Sequence, residues 1–321
     1  MSGDDHGHEH PTADVLPVAR VGHDHRASRD ADVRFLATAL ALIVGFMVVE
    51  VVVAVVSGSL ALLADAGHML TDAGALAGSI WAIRLAARPA RGQWTFGFQR
   101  AEILSAAING ATLLGVALVV FYESVRRLLD PPPVPGGPLV VIAGLGVVVN
   151  IGATWILAKA NRTSLNIEGA FQHILTDAAA FVATLIAGVV LLTTGYRRAD
   201  GIASLAVVAL LLRAAWGLLR DSGRVLLEAA PASVDLERVL QHLKESEHVL
   251  GVHDLHIWTV TSGTQTLSAH VVVDDSCFLG GHAPQLLDEI QACLAGHFDV
   301  AHSTFQLESR SHAAHELGAH H

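Results

Sequence analysis

Six long apolar runs, separated by short polar stretches, fill the first two-thirds of this 321-residue chain. A helix that crosses a bilayer needs about 20 consecutive apolar residues. Only structures that satisfy all their own backbone hydrogen bonds are stable in lipid. The runs therefore predict an α-helical membrane protein with six transmembrane helices. The predicted spans are residues 33–56, 60–86, 101–128, 138–160, 168–194 and 201–219.

The composition agrees with a membrane protein and excludes some other classes. Charged residues make up 16% of the chain, whereas soluble domains contain about 25%. The formal net charge of −10 argues against a nucleic-acid partner. The two cysteines are too few for a disulfide framework, and we expect no organic cofactor.

Arginine and lysine residues indicate the orientation of the predicted helices, because cytoplasmic loops carry an excess of them. An even number of spans places both termini on one side. The basic residues counted on that side are Arg20, Arg26, Arg29, Arg34, Arg84, Arg88, Arg91, Arg100, Lys159, Arg162, Arg220 and Arg224. Those on the other side are Arg126, Arg127, Arg197 and Arg198. Both termini are therefore predicted to be cytoplasmic. The polar N-terminal stretch does not resemble a signal peptide.

A second unit follows the sixth span, where the composition becomes that of a soluble domain. Helical and strand periodicities alternate there in the order αββαβ, which predicts a small α+β ferredoxin-like domain. The predicted helices are residues 235–247 and 284–298, and the predicted strands are 252–261, 265–274 and 302–308. The predicted divisions are a His-rich disordered tail (1–30), the membrane domain (31–222), a linker (223–231), the cytoplasmic domain (232–310) and a second disordered tail (311–321).

One short motif occurs twice within the predicted spans. His68 and Asp72 belong to the second span, and His173 and Asp177 repeat their spacing in the fifth. Residues four apart lie on one face of a helix, so each helix offers one imidazole and one carboxylate. Two such helices in contact would supply two nitrogen and two oxygen ligands. This set suits tetrahedral zinc, and cobalt or cadmium less exclusively.

The duplicated motif favours a metal site over hydrogen-bonded structural histidines. A carboxylate at the centre of a bilayer costs about 2.5–3.5 kcal/mol, and metal binding would compensate for that cost. The two pairs lie at different depths, since His173 is early in its predicted span whereas His68 is nearer the middle. Helix tilt, or a fifth helix that begins near Ser164, would bring them together, and the sequence leaves both explanations open.

Several phrases of the sequence resemble the cation diffusion facilitator family, and specifically its zinc-transporting branch that includes bacterial cobalt–zinc–cadmium resistance exporters. The resemblance covers roughly residues 33–310. The matching phrases are SGSLALLADAGH at 57–68, FGFQRAEIL at 96–104, GAF at 169–171, DGIAS at 200–204 and GVHDLHIW at 251–258.

The resemblance implies a homodimer of six-span subunits in a bacterial inner membrane, each with a cytoplasmic metal-sensing domain. Each subunit would use alternating access to export a divalent metal in exchange for protons. Zinc would be both the transported and the regulatory ion. The transport-site positions are His68, Asp72, His173 and Asp177. The implied sensor residues are His253, His270 and Glu308, with His282 and His302 as further candidates.

The sensor also has support from the residues themselves. His253 and His270 lie at mirrored positions around the turn at 261–263, so an antiparallel hairpin would make them neighbours across strands. The alternative is that these are solvated surface histidines. Metal binding by the sensor would tighten the soluble dimer and promote transport.

Two other functions fit the sequence less well than a secondary active transporter. A membrane zinc hydrolase would need a signature such as H-E-x-x-H, which is absent, and an open metal position for water. A passive channel would need weak sites in series, whereas four converging ligands would trap an ion. A metal receptor would bind the ion without flux. We therefore predict that the chain is not an enzyme.

Overall fold

The computed structural model describes residues 24–57, 60–131, 136–162, 164–298, 300 and 302–316. Some side chains within the described helices, including those of residues 60–68, lie outside that description. Residues 1–23, which make up most of the predicted N-terminal tail, also lie outside it.

Long helices form wherever the sequence has a long apolar run. They are α1 (Asp24–Ser57), α2 (Leu60–Ala86), α3 (Ala101–Leu129), α4 (Gly136–Leu157), α5 (Leu165–Thr194) and α6 (Ala199–Leu226). Each lies over one of the predicted spans. Among the described residues, five of them (α1, α3, α4, α5 and α6) contain segments long and apolar enough to cross a membrane. The helical membrane domain is thus confirmed, and the crossing by all six helices stays a prediction.

Helix α5 holds the membrane domain together because it contacts both halves. One apolar core joins α1, α2, α4 and α5 through Leu36, Leu76, Leu157 and Ile174, which are all fully or almost fully buried. A second core joins α3 and α6 around Leu113 and Ala215. Helix α5 also packs against α6 and α3. Large apolar side chains such as Val48, Trp155 and Ile186 remain exposed on the outside, where a bilayer would cover them.

Glycine residues permit the closest helix contacts, as is common in membrane proteins. The ring of Phe181 on α5 packs directly against Gly146 on α4, where an added Cβ would overlap three ring carbons. On α3, Gly110 lies against Leu218 and Leu219 of α6, and a Cβ there would come within 3.1 Å of both side chains. These positions set the distances of α4 from α5 and of α3 from α6.

The C-terminal unit contains a small mixed sheet. Its elements are α7 (Leu236–Lys244), β1 (Val249–Thr261), β2 (Thr264–Val273), α8 (Asp275–Leu279), α9 (Ala283–Phe298), β3 (His302–Glu308) and α10 (Arg310–Ala313). The strand order is β1-β2-β3, with β1 antiparallel and β3 parallel to β2. The order αββαβ is present with two extra short helices. The ferredoxin-like assignment stays a prediction.

The sheet and helices of this unit share one core. Leu267 and Val271 of β2 pack with Val239 of α7 and with Ile290 and Leu294 of α9. Helix α7 begins at a capping residue, because the Asp235 carboxylate accepts from the amides of Glu237 and Arg238. Burial raises the pKa of the Cys277 thiol in the same core, as expected for a structural cysteine.

Both predicted tails include residues that the structure describes as helix or turn. Helix α1 already begins at Asp24, and α10 with its following turn extends the C-terminal unit to residue 316. Residue 310, the predicted end of this unit, is the first residue of α10. The Ser309 hydroxyl accepts from the amide of His312 and caps this short helix. The sequence did not predict this helix, because the composition of residues 311–321 is polar. Helix α6 likewise continues to Leu226, into the predicted linker.

We expect Gly146→Ala to destabilise the membrane domain by about 1–3 kcal/mol, because an added methyl group would push the Phe181 ring out of its place. The measurement is the unfolding temperature of the detergent-purified protein. Gly144→Ala, on the same helix, is the matched control, since its Cβ would meet nothing within 4 Å. Equal unfolding temperatures for both variants would contradict the packing described.

Candidate metal centres

The first candidate centre lies between helices α2 and α5. Asp72 comes from α2, whereas His173 and Asp177 come from successive turns of α5. The His173 Nε2 atom lies 2.7 Å from Asp72 Oδ1 and 3.7 Å from Asp177 Oδ2. One ligand atom from each of the three residues lies within 4.8 Å of the others. The structure thus brings together three of the four predicted transport-site residues.

The chemistry of this centre follows from its burial. Asp72 is 5% exposed and His173 is 3% exposed. The second ring nitrogen of His173, Nδ1, has no hydrogen-bond partner among the described residues. Two carboxylates and an imidazole in such a place need a cation or protons to balance their charge. Nitrogen and carboxylate ligands together fit a zinc-type ion.

The fourth predicted residue, His68, lies one turn before Asp72 on helix α2. Its side chain is outside the described part of the structure, so its participation stays a prediction. The different depths of the two His–Asp pairs in their predicted spans are explained by where the fifth helix begins. Helix α5 begins at Leu165, which places His173 more than two turns inside the helix. Of the two explanations that the sequence leaves open, an early start of the fifth helix is observed.

A hydrogen-bonded polar network lies at the start of α5, where Arg162 precedes the helix and Glu168 lies in its first turn. The Arg162 guanidinium donates to both carboxylate oxygens of Glu168, over 2.7 and 3.0 Å. Gln172 donates to the same carboxylate over 2.6 Å. The hydrogen bond with Glu168 raises the pKa of Arg162.

A second candidate centre lies on one face of the C-terminal sheet. His253 of β1 pairs directly with His270 of β2, and their ring centroids are 5.1 Å apart. Glu308 of β3 reaches both rings, with Oε2 3.3 Å from His253 Nε2 and Oε1 2.8 Å from His270 Nδ1. The predicted cross-strand neighbours are confirmed. All three of the implied sensor residues converge on one point.

A fourth residue, Glu316, completes this cluster and was not predicted. Its Oε1 lies 3.0 Å from His270 Nδ1, and its Oε2 lies 3.7 Å from His253 Nε2. One ligand atom from each of the four residues lies within 4.8 Å of the others. No sequence signal could have identified it, because a single glutamate among polar tail residues has no periodic neighbour.

The structure does not bring His282 or His302 to this cluster. His302 pairs with Thr266 at the opposite end of the sheet, and its ring meets Phe96 edge-on at 6.5 Å. His282 is exposed in the turn before α9. Neither reaches the point where His253, His270 and Glu308 meet.

Comparisons with known proteins agree with this architecture. Residues 36–227 match the family profile described as "Cation efflux transmembrane domain". Residues 231–310 match the profile described as "Cation efflux protein, cytoplasmic domain". Together these profiles cover most of the chain.

Similar proteins match over nearly their whole length. The "Cadmium, cobalt and zinc/H(+)-K(+) antiporter" of Bacillus subtilis is 35% identical over 91% of this chain and 93% of its own. The "Metal cation efflux system protein CzcD" of Cupriavidus metallidurans is 38% identical, with 89% of each chain covered. The "Zinc transporter ZitB" of Escherichia coli is 38% identical over 89% of this chain and 91% of its own.

Solved structures also match the chain, and one of them is a domain of a relative. The metal-bound C-terminal domain of the CzcD transporter from Cupriavidus metallidurans is 39% identical and covers 23% of this chain and 99% of its own. The TM-score of this match is 0.22.

A helical membrane domain with a buried cluster of metal-ligand residues defines a membrane protein that handles metal cations. The two profiles and the relatives show more, namely that the chain belongs to the cation efflux family. The predicted resemblance is thereby confirmed. Members of this family are transporters rather than enzymes, which agrees with the prediction that the chain does not catalyse a reaction.

We expect Asp72→Asn and His173→Gln each to weaken zinc binding at the buried centre by tenfold or more, about 1.4 kcal/mol. Both changes keep roughly the same side-chain size but replace a strong zinc ligand by a neutral amide, which binds zinc much more weakly. The measurement is zinc titration of the detergent-purified protein, with the number and affinity of bound ions compared between variants. Asp130→Asn, on the exposed end of α3, is the control. A full set of sites with parental affinity in both variants would contradict a metal centre here.

Proposed function

We propose that this chain exports zinc from the cytoplasm by metal/proton antiport, with cadmium and cobalt as further substrates. The observation that carries the proposal is the buried cluster of Asp72, His173 and Asp177, which joins two helices inside the membrane domain. The names of the relatives from Bacillus subtilis and Escherichia coli support the same ions and the use of protons.

Proton exchange follows from the geometry of the cluster. A metal ion binds neutral imidazole and ionised carboxylate, so protons and metal compete for the same atoms. His173 Nε2 lies 2.7 Å from Asp72 Oδ1, a distance at which a hydrogen must lie between them. This hydrogen bond and a metal ion would use the same atoms, so the two exclude each other. Release of metal and uptake of a proton are two sides of one event.

Alternating access requires that the centre open to one side at a time. The ligands divide between two helices, with Asp72 on α2 and the other two residues on α5. A relative movement of α2 and α5 would therefore open or close the cluster, because neither helix carries the complete set. We propose that this movement separates an inward-facing from an outward-facing state.

The proposed orientation places both termini in the cytoplasm of a bacterial cell, with the chain in the inner membrane. The Arg100 guanidinium donates to Glu228 over 2.8 Å, which joins the start of α3 to the end of α6. The C-terminal sheet contacts the membrane domain at this same end. The arginine-rich loops predicted to be cytoplasmic lie there too, so one side collects most of the positive charge.

We propose that the C-terminal domain is a cytoplasmic metal sensor within a homodimer. Its two imidazoles and the Glu308 carboxylate fit a zinc-type ion, because they provide mixed nitrogen and oxygen ligands around one point. An ion bound there would neutralise a carboxylate that is only 1% exposed. This would tighten the three strands against one another and stabilise the form of the domain that promotes transport.

The proposal predicts that an acidic vesicle interior drives zinc uptake into proteoliposomes, because zinc entering the lumen exchanges for protons leaving it. Asp177→Ala should abolish this uptake, since it removes a ligand and a proton acceptor. The measurement is uptake of zinc, cadmium and manganese by the parent and the variant, with and without a pH gradient. Manganese should not be transported, because it prefers an all-oxygen site.

The controls separate transport from simple binding. Asp130→Asn should transport zinc like the parent, since its side chain is exposed at the end of α3. Zinc uptake that ignores an imposed pH gradient would overturn the antiport. Zinc binding without any flux would indicate a receptor.

A further inference from the structure

We propose that Glu316 is the fourth ligand of the metal site in the C-terminal domain. The segment 309–316 would then fold across the sheet and close the site when a zinc-type ion is bound. This inference rests on the proposed function of that cluster as a metal site. It adds a ligand from a part of the chain that lies beyond residue 310, where the match to the cytoplasmic domain profile ends.

The position of Glu316 is that of a ligand rather than of a distant surface charge. Its two carboxylate oxygens face two different imidazoles, at 3.0 Å from His270 and 3.7 Å from His253. The Glu308 carboxylate faces the same two rings from the sheet. The Glu316 side chain is only 16% exposed. The centre therefore has two nitrogen and two oxygen donors, which is the number that a closed four-coordinate zinc site requires.

The short segment between Glu308 and Glu316 turns the chain back towards the sheet. Strand β3 ends at Glu308, and α10 begins at once with the Ser309 hydroxyl as its cap. A second bond within the turn joins His315 Nδ1 and the carbonyl of Ser311. Helix α10 also contacts β2, the strand that carries His270. One helical turn thus reverses the chain and places Glu316 opposite Glu308, the last residue of β3.

Two negative carboxylates beside two imidazoles can be balanced either by protons or by a metal ion. Protonated imidazoles would hold Glu316 through ion pairs alone, and these are worth little when partly exposed. A metal ligand would instead make the order of the segment depend on the ion. The two explanations therefore differ in how residues 309–316 respond to added zinc.

The test is hydrogen exchange of the full-length detergent-purified protein, with and without zinc, followed by peptide. Zinc should slow exchange both in the paired strands, 250–256 and 266–272, and in residues 309–316. In Glu316→Gln the protection of 309–316 should be lost. The zinc concentration for half-maximal protection of the strands should rise tenfold or more. Glu289→Gln, exposed on α9, is the matched control and should behave like the parent.

The possible failures are distinguishable. If zinc protects the strands but not residues 309–316 in the parent, or if Glu316→Gln keeps the parental response, Glu316 is not a ligand. A different failure is that zinc changes exchange neither in the strands nor in residues 309–316, and that Glu308→Gln shows the same absence of a zinc effect. That result would show that the cluster does not bind metal. In that case the sensor part of the proposed function fails with it.

An independent observation at the domain junction leads to a second inference. We infer that the β1–β2 hairpin caps helix α5 and so positions the helix that carries His173 and Asp177. The Ser262 hydroxyl, at the tip of the hairpin, accepts from the Leu165 amide over 3.1 Å. The first amides of a helix have no partner within the helix. Here the partner comes from another domain.

The usual local cap is absent because Ser164 is used elsewhere. Ser164 occupies the N-cap position of α5 but makes no capping bond. Its hydroxyl donates instead to Glu102, at the start of α3. The neighbouring Thr261 hydroxyl of the hairpin donates to the other Glu102 oxygen over 3.1 Å. Glu102 is 7% exposed, so a buried carboxylate ties α3, α5 and the hairpin together.

The junction connects the two candidate metal centres through rigid elements. The strands of the hairpin carry His253 and His270, and its tip holds the first turn of α5. From Leu165 to His173 the helix rises about 12 Å. A shift of the hairpin caused by metal at the sheet would therefore move the transport ligands of α5. Ser262 and Glu102 are positioning residues in this scheme, which rests on the proposed function.

The test compares Ser262→Ala with Ser262→Thr. Ser262→Ala should speed amide exchange at residues 165–168 and reduce the activation of transport by cytoplasmic zinc. Ser262→Thr should restore both, because it returns the hydroxyl. Ser233→Ala, at an exposed position, is the control. Unchanged exchange at the start of α5 in Ser262→Ala would overturn the cap, whether or not transport is regulated. Changed exchange with unchanged activation would overturn its role in coupling.

Discussion

The contact between Asp72 and His173 is the constraint on which the membrane domain depends. A carboxylate and an imidazole that are both nearly inaccessible to solvent must face each other or a cation, because neither tolerates an apolar environment alone. The pair therefore joins α2 to α5, two helices that share few other contacts. Apolar packing joins the other helices, with one core among α1, α2, α4 and α5 and another between α3 and α6. The polar pair thus accounts for how α2 and α5 face each other, while apolar contacts account for most of the helix packing.

The two candidate centres use the same ligand types in different scaffolds. In the membrane domain the ligands divide between two helices, which can move relative to each other as packed cylinders. In the C-terminal domain three adjacent strands supply His253, His270 and Glu308, and hydrogen bonds between the strands hold them in register. The first scaffold suits an ion that must enter and leave. The second suits an ion that stays and changes the stability of the domain.

Helix α5 connects the two candidate centres. Its first amide is held by Ser262 of the C-terminal hairpin, and its third turn carries His173. The buried Glu102 carboxylate reinforces this junction, because it accepts from both the hairpin and the residue that precedes α5. A single helix thus extends from the C-terminal hairpin to the buried candidate centre.

The sequence by itself determined what periodicity and local spacing can express. Apolar runs located the long helices, the spacing of four placed His173 and Asp177 on one face of α5, and mirrored positions paired His253 with His270. Contacts between residues remote in the chain were decided only by the tertiary structure. Ser262 meets Leu165 across 97 positions, and Thr261 meets Glu102 across 159. Glu316 meets His270 across 46. No local pattern encodes such pairs, because they form only when whole helices and strands have packed and their polar groups must find partners.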